Sequence, residues 1–227
     1  MSRPAWQSRK SRDLVKLLIS RRGRPVPREQ LAEALWPDDP VGAVGNRLSV
    51  AVSLLRQVMD PEKRFEPEHF VSTDKENVAL NLETVAVDVE GFLAVAAGGL
   101  DLHRRGRDEQ ALDRLTAAEA AYGGDFLEEH PYDEWAVGLR EEARATYLAV
   151  VALLAEQARQ AGDAEREIRL RLRSLERDPY DEAAALALVR AHLRRGARGE
   201  ARAAYRRYVA RMEEIDVEAV PFPSQTG

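Results

Sequence analysis

Residues 45–60, GNRLSVAVSLLRQVMD, space Leu48, Val52, Leu55 and Met59 as one apolar stripe of a helix. Turning about 100° per residue away from that stripe brings Asn46, Val50, Ser53 and Gln57 to the opposite face. That face carries no carboxylate, in a chain whose residues are 32% charged. Asn and Gln side chains can pair bidentately with adenine, a Ser hydroxyl can donate or accept, and Val50 or Leu54 can meet a thymine methyl. Arg47 shares one flank with Leu54, and Arg56 shares the other with Ser49. Guanidiniums so placed suit phosphate oxygens, which fix register without reading sequence. The chemistry on offer is recognition of a nucleic-acid groove, and the rival reading of each arginine is a solvated surface charge.

Other constellations offer less. The four histidines, His69, His103, His130 and His192, are scattered, and no HExxH occurs. The acidic residues bracket no Gly-rich or Ser-centred motif. Glu128-Glu129-His130 are immediate neighbours ahead of a proline turn, and such neighbours diverge around a helix instead of converging on a metal. Without cysteine there is no thiolate zinc site and no disulfide framework. An enzyme is not expected, nor a cofactor or a bound metal.

The groove-reading helix needs elements to hold it. Residues 9–21 place Leu14, Leu17, Leu18 and Arg21 on helical spacing, ended by Gly23 and Pro25. VPREQLAEALW predicts a second, shorter helix, with Pro27 in its first turn, Glu29 at the positive end of its dipole, and Leu31, Leu35 and Trp36 as its stripe. Pro37 stops it, PDDPVG reads as a turn, and the helix described first follows. FVSTDKENVALNL (70–82) changes to a period of two around Asp74-Lys75-Glu76-Asn77, a β-hairpin whose Asn77 can take a positive φ. Three helices followed by a hairpin is the order of a winged helix, whose third helix enters the major groove. Lys75 and Asn77 on the wing, with Arg9, Lys10 and Arg12 near the first helix, are further candidates for contact with the DNA.

Charge and period both change along the chain. The net charge of −5 divides into 11 Lys/Arg against 6 Asp/Glu in residues 1–60, and 23 against 33 in the remainder. A basic module joined to an acidic one points to a polyanionic partner for the first alone. From Val87 onward the pattern is helical with partial repetition. Gly162 and Gly196 lie 34 residues apart, each eight residues after a leucine, Leu154 or Leu188. That is the tetratricopeptide period. Ala111 and Ala201 follow Gly106 and Gly196 by five, the small residue of a close helix pair, whereas the intervening repeat carries Glu167. PYDE occurs at 131–134 and again at 179–182 as a helix start. An irregular solenoid of about six helices is expected. Its aromatic residues Tyr122, Tyr132, Trp135, Tyr147, Tyr205 and Tyr208 are either core or the lining of a partner surface. No signal peptide and no apolar run of membrane-spanning length is found, so a cytoplasmic protein is expected.

These motifs in series resemble a known family. WQSRKSRDLVKLLISRRGRPVPREQLAEALWPDD, NRLSVAVSLLRQVMD, FVSTDKENVALNL and VDVEGF resemble the winged helix of the SARP-type proteins with a bacterial transcriptional activator domain, which is similar to that of OmpR/PhoB response regulators. DPYDE, GARGEARAAYRRY and RMEEIDVEAVPF resemble the helical domain that follows it. The resemblance implies a mainly α fold: a winged-helix DNA-binding domain over 1–87, an all-α TPR-like domain over 88–216 and a tail over 217–227. Only about eight residues precede the first helix where the family usually has a small antiparallel sheet, so that sheet is expected to be missing or truncated, or the chain a fragment of a longer one. Response-regulator wings generally end in Gly-Tyr-Arg; here Asn77-Val78-Ala79-Leu80 stands instead. The larger members carry an ATPase module, for which no GxxxxGK[ST] is present. By resemblance the partners are double-stranded DNA and RNA polymerase, with a homodimer or tandem protomers on direct repeats, no membrane, and a place at the bacterial nucleoid. The alternative is a TPR-like interaction or signal-sensing scaffold whose winged helix no longer binds DNA.

Overall fold

A computed structural model describes residues 6, 8–39, 41–129 and 131–223. The chain divides into two compact units, one of residues 1–91 with 126–140 and the other of residues 92–125 with 141–227. The first therefore takes in a segment from beyond position 87.

Among the described residues, the first unit opens with three helices. α1 (Arg9–Ser20) is capped by Ser8, whose hydroxyl accepts from Ser11 N, and buries Leu14, Leu17 and Leu18. It ends where Arg22 and Gly23 take positive φ, 55° and 74°; a Cβ on Gly23 would also press on Leu82. α2 (Arg28–Leu35) buries Leu31 and Leu35, and α3 (Val41–Met59) buries Leu48, Ala51, Val52 and Leu55. These side chains and Val26, Val71, Val78 and Leu80 of the sheet form one continuous core.

Three local expectations are corrected. The helix expected from residue 45 begins at Val41, inside the stretch read as a turn. Packing of its apolar stripe outweighs the poor helix propensity of Gly42 and Gly45. Pro27 lies outside the helix, at the N-cap of α2 and at the end of β1 (Val26–Pro27). This strand pairs antiparallel with β3 (Asn77–Leu80), and β2 (Val71–Thr73) pairs with the other edge of β3, giving the order β1-β3-β2. An edge strand tolerates a proline because one side of its ladder needs no N–H. Asn77 does not have a positive φ. The Asp74 carboxylate shapes the wing tip instead, accepting from Glu76 N at 2.7 Å and Asn77 N at 2.6 Å.

In the second unit and the segments leading into it, six helices follow among the described residues, as expected: α4 (Asp88–Arg104), α5 (Asp108–Ala121), α6 (Glu134–Gln160), α7 (Ala164–Arg177), α8 (Glu182–Arg194) and α9 (Arg198–Glu213). Gly106, Gly162 and Gly196 end α4, α6 and α8 with φ of 72°, 75° and 73°, so the repeat read from the glycines is a repeat of helix ends. Ala111 and Ala201 are fully buried, and each PYDE segment runs into a helix whose first residue is its Glu, Asp181 capping α8 through Ala184 N at 2.9 Å. The aromatics divide: Tyr147 and Tyr208 are buried and Tyr122 stacks on Tyr147 at 4.0 Å, whereas Tyr132 is 93% exposed.

Candidate nucleic-acid interface

α3 presents the ridge that its period implies. Asn46, Val50, Ser53 and Gln57 are all exposed, Val50 to 53%, while the opposite face is sealed in the core. Leaving a valine so exposed beside three uncharged polar side chains loses apolar burial that the fold does not recover.

The two flanks are braced. On one, Arg47 is ion-paired with Asp39 of the segment joining α2 to α3, beside half-buried Leu54. On the other, Arg56 donates from Nη2 to Val71 O at 2.7 Å and Thr73 Oγ1 at 3.0 Å, with Glu68 at 4.0 Å. Arg56, expected at a phosphate, thus ties α3 to the edge of the wing. Ser49 on the same flank accepts from Arg28 Nη2 at 2.9 Å and donates to Gly45 O at 3.1 Å.

The remaining candidates separate in the same way. Arg9 and Arg12 are exposed on α1, and Lys75 is exposed at the wing tip. Lys10 instead donates to Leu35 O and lies 5.8 Å from the Trp36 ring centre, clamping α1 to the end of α2. Asn77 is half-buried, and its amide reaches the Asp74 carboxylate at 3.3 Å. The backbone N–H donors of Glu76 and Asn77 hold the Asp74 carboxyl below the usual carboxylate range. Asp60, just past α3, is lowered in the same way by the N–H groups of Arg64 and Phe65, and so anchors a loop on which Phe65 stacks against His69 at 4.3 Å.

Part of the basic excess of residues 1–60 is neutralised, since Lys16 pairs with Glu129 at 2.8 Å and Arg22 with Glu90 at 2.6 Å. Arg28 and Asp39 are the residues that sequence reasoning missed. Their partners are remote in sequence or across a turn, and only the basic start of VPREQ hinted at the first. His130 lies outside the described residues. Among the described residues no group of three His, Cys, Asp or Glu side chains is placed to hold a metal ion, and no helix is long and apolar enough to cross a membrane.

Residues 87–221 match the family described as the bacterial transcriptional activator domain. The chain belongs to that family. Ahead of this domain, residues 3–75 match the family described as transcriptional regulatory protein, C terminal, which is the OmpR/PhoB-type winged helix. A solved structure, Mycobacterium tuberculosis EmbR in complex with a low-affinity phosphopeptide, is similar over 95% of this chain and 57% of its own, with a TM-score of 0.73 and 24% identity. At that identity the likeness is one of fold, a winged helix followed by a helical domain, and this activator-domain chain spans little more than half the length of EmbR. No curated protein is significantly similar to it in sequence. Both families are transcriptional regulators and not enzymes.

Proposed function

We propose that this chain is a sequence-specific DNA-binding regulator, an activator that acts at promoters through RNA polymerase. Residues 1–87 form the DNA-binding domain, residues 88–216 the activator domain, and residues 217–227 its tail. The observation that carries the reading is the uncharged, exposed ridge of α3 with a guanidinium on its flank, in a chain of this family. α3 lies in the major groove. Asn46 and Gln57 meet adenine edges, Ser53 bonds a base edge, and Val50 touches a thymine methyl. Arg47 exchanges Asp39 for a phosphate, and Arg9, Arg12 and Lys75 add backbone contacts. Arg56 acts through the wing that it holds. Two or more protomers occupy direct repeats at the nucleoid, in the cytoplasm.

Selection of binding sites from a random duplex pool tests this. Wild-type protein should enrich a repeated motif. Asn46→Ala and Ser53→Ala should each change the preferred base at one position, with a good base contact worth about 1–3 kcal/mol. Failure of the wild type to enrich any sequence would leave the interaction-scaffold reading standing in its place. An unchanged motif in both variants would refute the groove assignment.

A further inference from the structure

Three elements meet at Arg28, the first residue of α2. Its backbone N–H donates to Glu76 O at the wing tip, 2.7 Å away. Its Nη2 donates to Ser49 Oγ on α3 at 2.9 Å, and its charge reaches Asp74. Ser49 donates to Gly45 O one helical turn back, at 3.1 Å. A serine hydroxyl has one proton, so with that proton directed at the helix backbone its oxygen is left as an acceptor, and the Arg28 fork is the donor that it takes. Ser49 is thus engaged on both sides, its proton by the Gly45 carbonyl and its oxygen by Arg28.

Arg28 itself is not committed in this way. Its side chain is half-buried, and Ser49 is the one hydrogen-bond acceptor that its guanidinium uses among the described residues. Most of its five N–H donors therefore remain for a ligand. Its place is the wing-side flank of the ridge, where Arg56 is already turned onto Val71 and Thr73. Arg47 occupies the opposite flank. An uncharged ridge with a guanidinium on either side matches a major groove about 12 Å wide, which offers a phosphate strand on each side of a helix lying in it. A planar fork held by a neighbour suits bidentate phosphate contact and loses little side-chain entropy on binding.

We propose that Arg28 holds a backbone phosphate of the DNA strand on the wing side of α3, and that Ser49 is its positioning residue. This rests on the DNA-binding reading above. The intact 227-residue chain would be titrated by fluorescence anisotropy into the random duplex pool over a series of salt concentrations, and each variant would be melted to confirm that it folds. Arg28→Ala should weaken binding about five- to tenfold and lower the slope of log affinity against log salt by about one, the loss of one phosphate contact. Arg28→Lys should keep the slope, because the charge remains. Ser49→Ala should weaken binding about two- to threefold in the wild-type background and have no effect in Arg28→Ala, since it acts only through that side chain.

Wild-type binding with an unchanged affinity and slope in a folded Arg28→Ala would overturn the phosphate assignment. Additive losses in the double variant would overturn the role given to Ser49. No binding by the wild type would overturn the DNA-binding reading itself, an outcome distinct from both.

Discussion

Glu167 stands where the repeat pattern calls for a small residue, and it is 1% exposed. A carboxylate in that position is tolerable because Arg194 reaches it from the end of α8, Nη2 to Oε2 at 2.5 Å, while the rest of the arginine stays 42% exposed to water. Removing Arg194 leaves a buried charge without its partner. Arg194→Ala should therefore destabilise the chain by about 2 kcal/mol, the partial exposure of the arginine holding the loss below that of a fully buried pair. Glu167→Gln in the same background should recover part of it, since an amide is less costly to bury than a carboxylate. Urea denaturation of the three proteins measures this, and no recovery in the double variant would show that the pair is not what holds Glu167. The sequence marked Glu167 as an exception to the repeat. Its partner, on the next helix, had no signature there. The partners of Asp39 and Arg28 likewise had no periodic signature, whereas the ridge Asn46, Val50, Ser53 and Gln57 follows from periodicity alone.

Helices were more legible than strands. The stripes of α1, α2 and α3 each contain enough leucine and valine at helical spacing to identify their buried faces, and the glycines that end α4, α6 and α8 mark the ends of helices by their need for positive φ. β1 is two residues long and exists because β3 pairs with it, so no local pattern announces it. The Gly98-Gly99 pair of α4 likewise carries no local sign of what it meets. A Cβ on Gly99 would lie 2.9 Å from Leu115 Cδ2 and 3.2 Å from its backbone N, so the close approach of α4 and α5 requires its absence. Gly91, in the same helix, has open space around it. Gly99→Ala should cost about 1–2 kcal/mol by forcing the helices apart. Gly91→Ala should gain about 0.5–1 kcal/mol by restricting the unfolded chain. Opposite shifts in melting temperature check both, and two shifts of the same sign would contradict the packing argument.

Each compact unit of the molecule draws on two stretches of chain, and the first includes residues 126–140. Trp135 of that segment packs against the core that contains Leu14, Leu31 and Leu55. The winged-helix unit is thus completed by residues that follow α4 and α5. Trp135→Ala in the full chain should lower the stability of that unit by about 2 kcal/mol, less than for a fully buried tryptophan. A fragment ending at residue 87 should melt below the intact unit, and differential scanning calorimetry of the fragment beside the full chain measures it; equal melting of the two would refute a structural role for the segment. The order of the helices, the exposed ridge of α3 and the glycine-punctuated repeat were determined by local spacing, because helical periodicity and backbone strain act over a few residues, and the basic character of the first 60 residues by composition alone. The β1 pairing, the Arg56 and Lys10 clamps, the Arg28–Ser49 contact and the return of Trp135 to the first core were decided in three dimensions, because each joins groups whose separation along the chain carries no periodic signal.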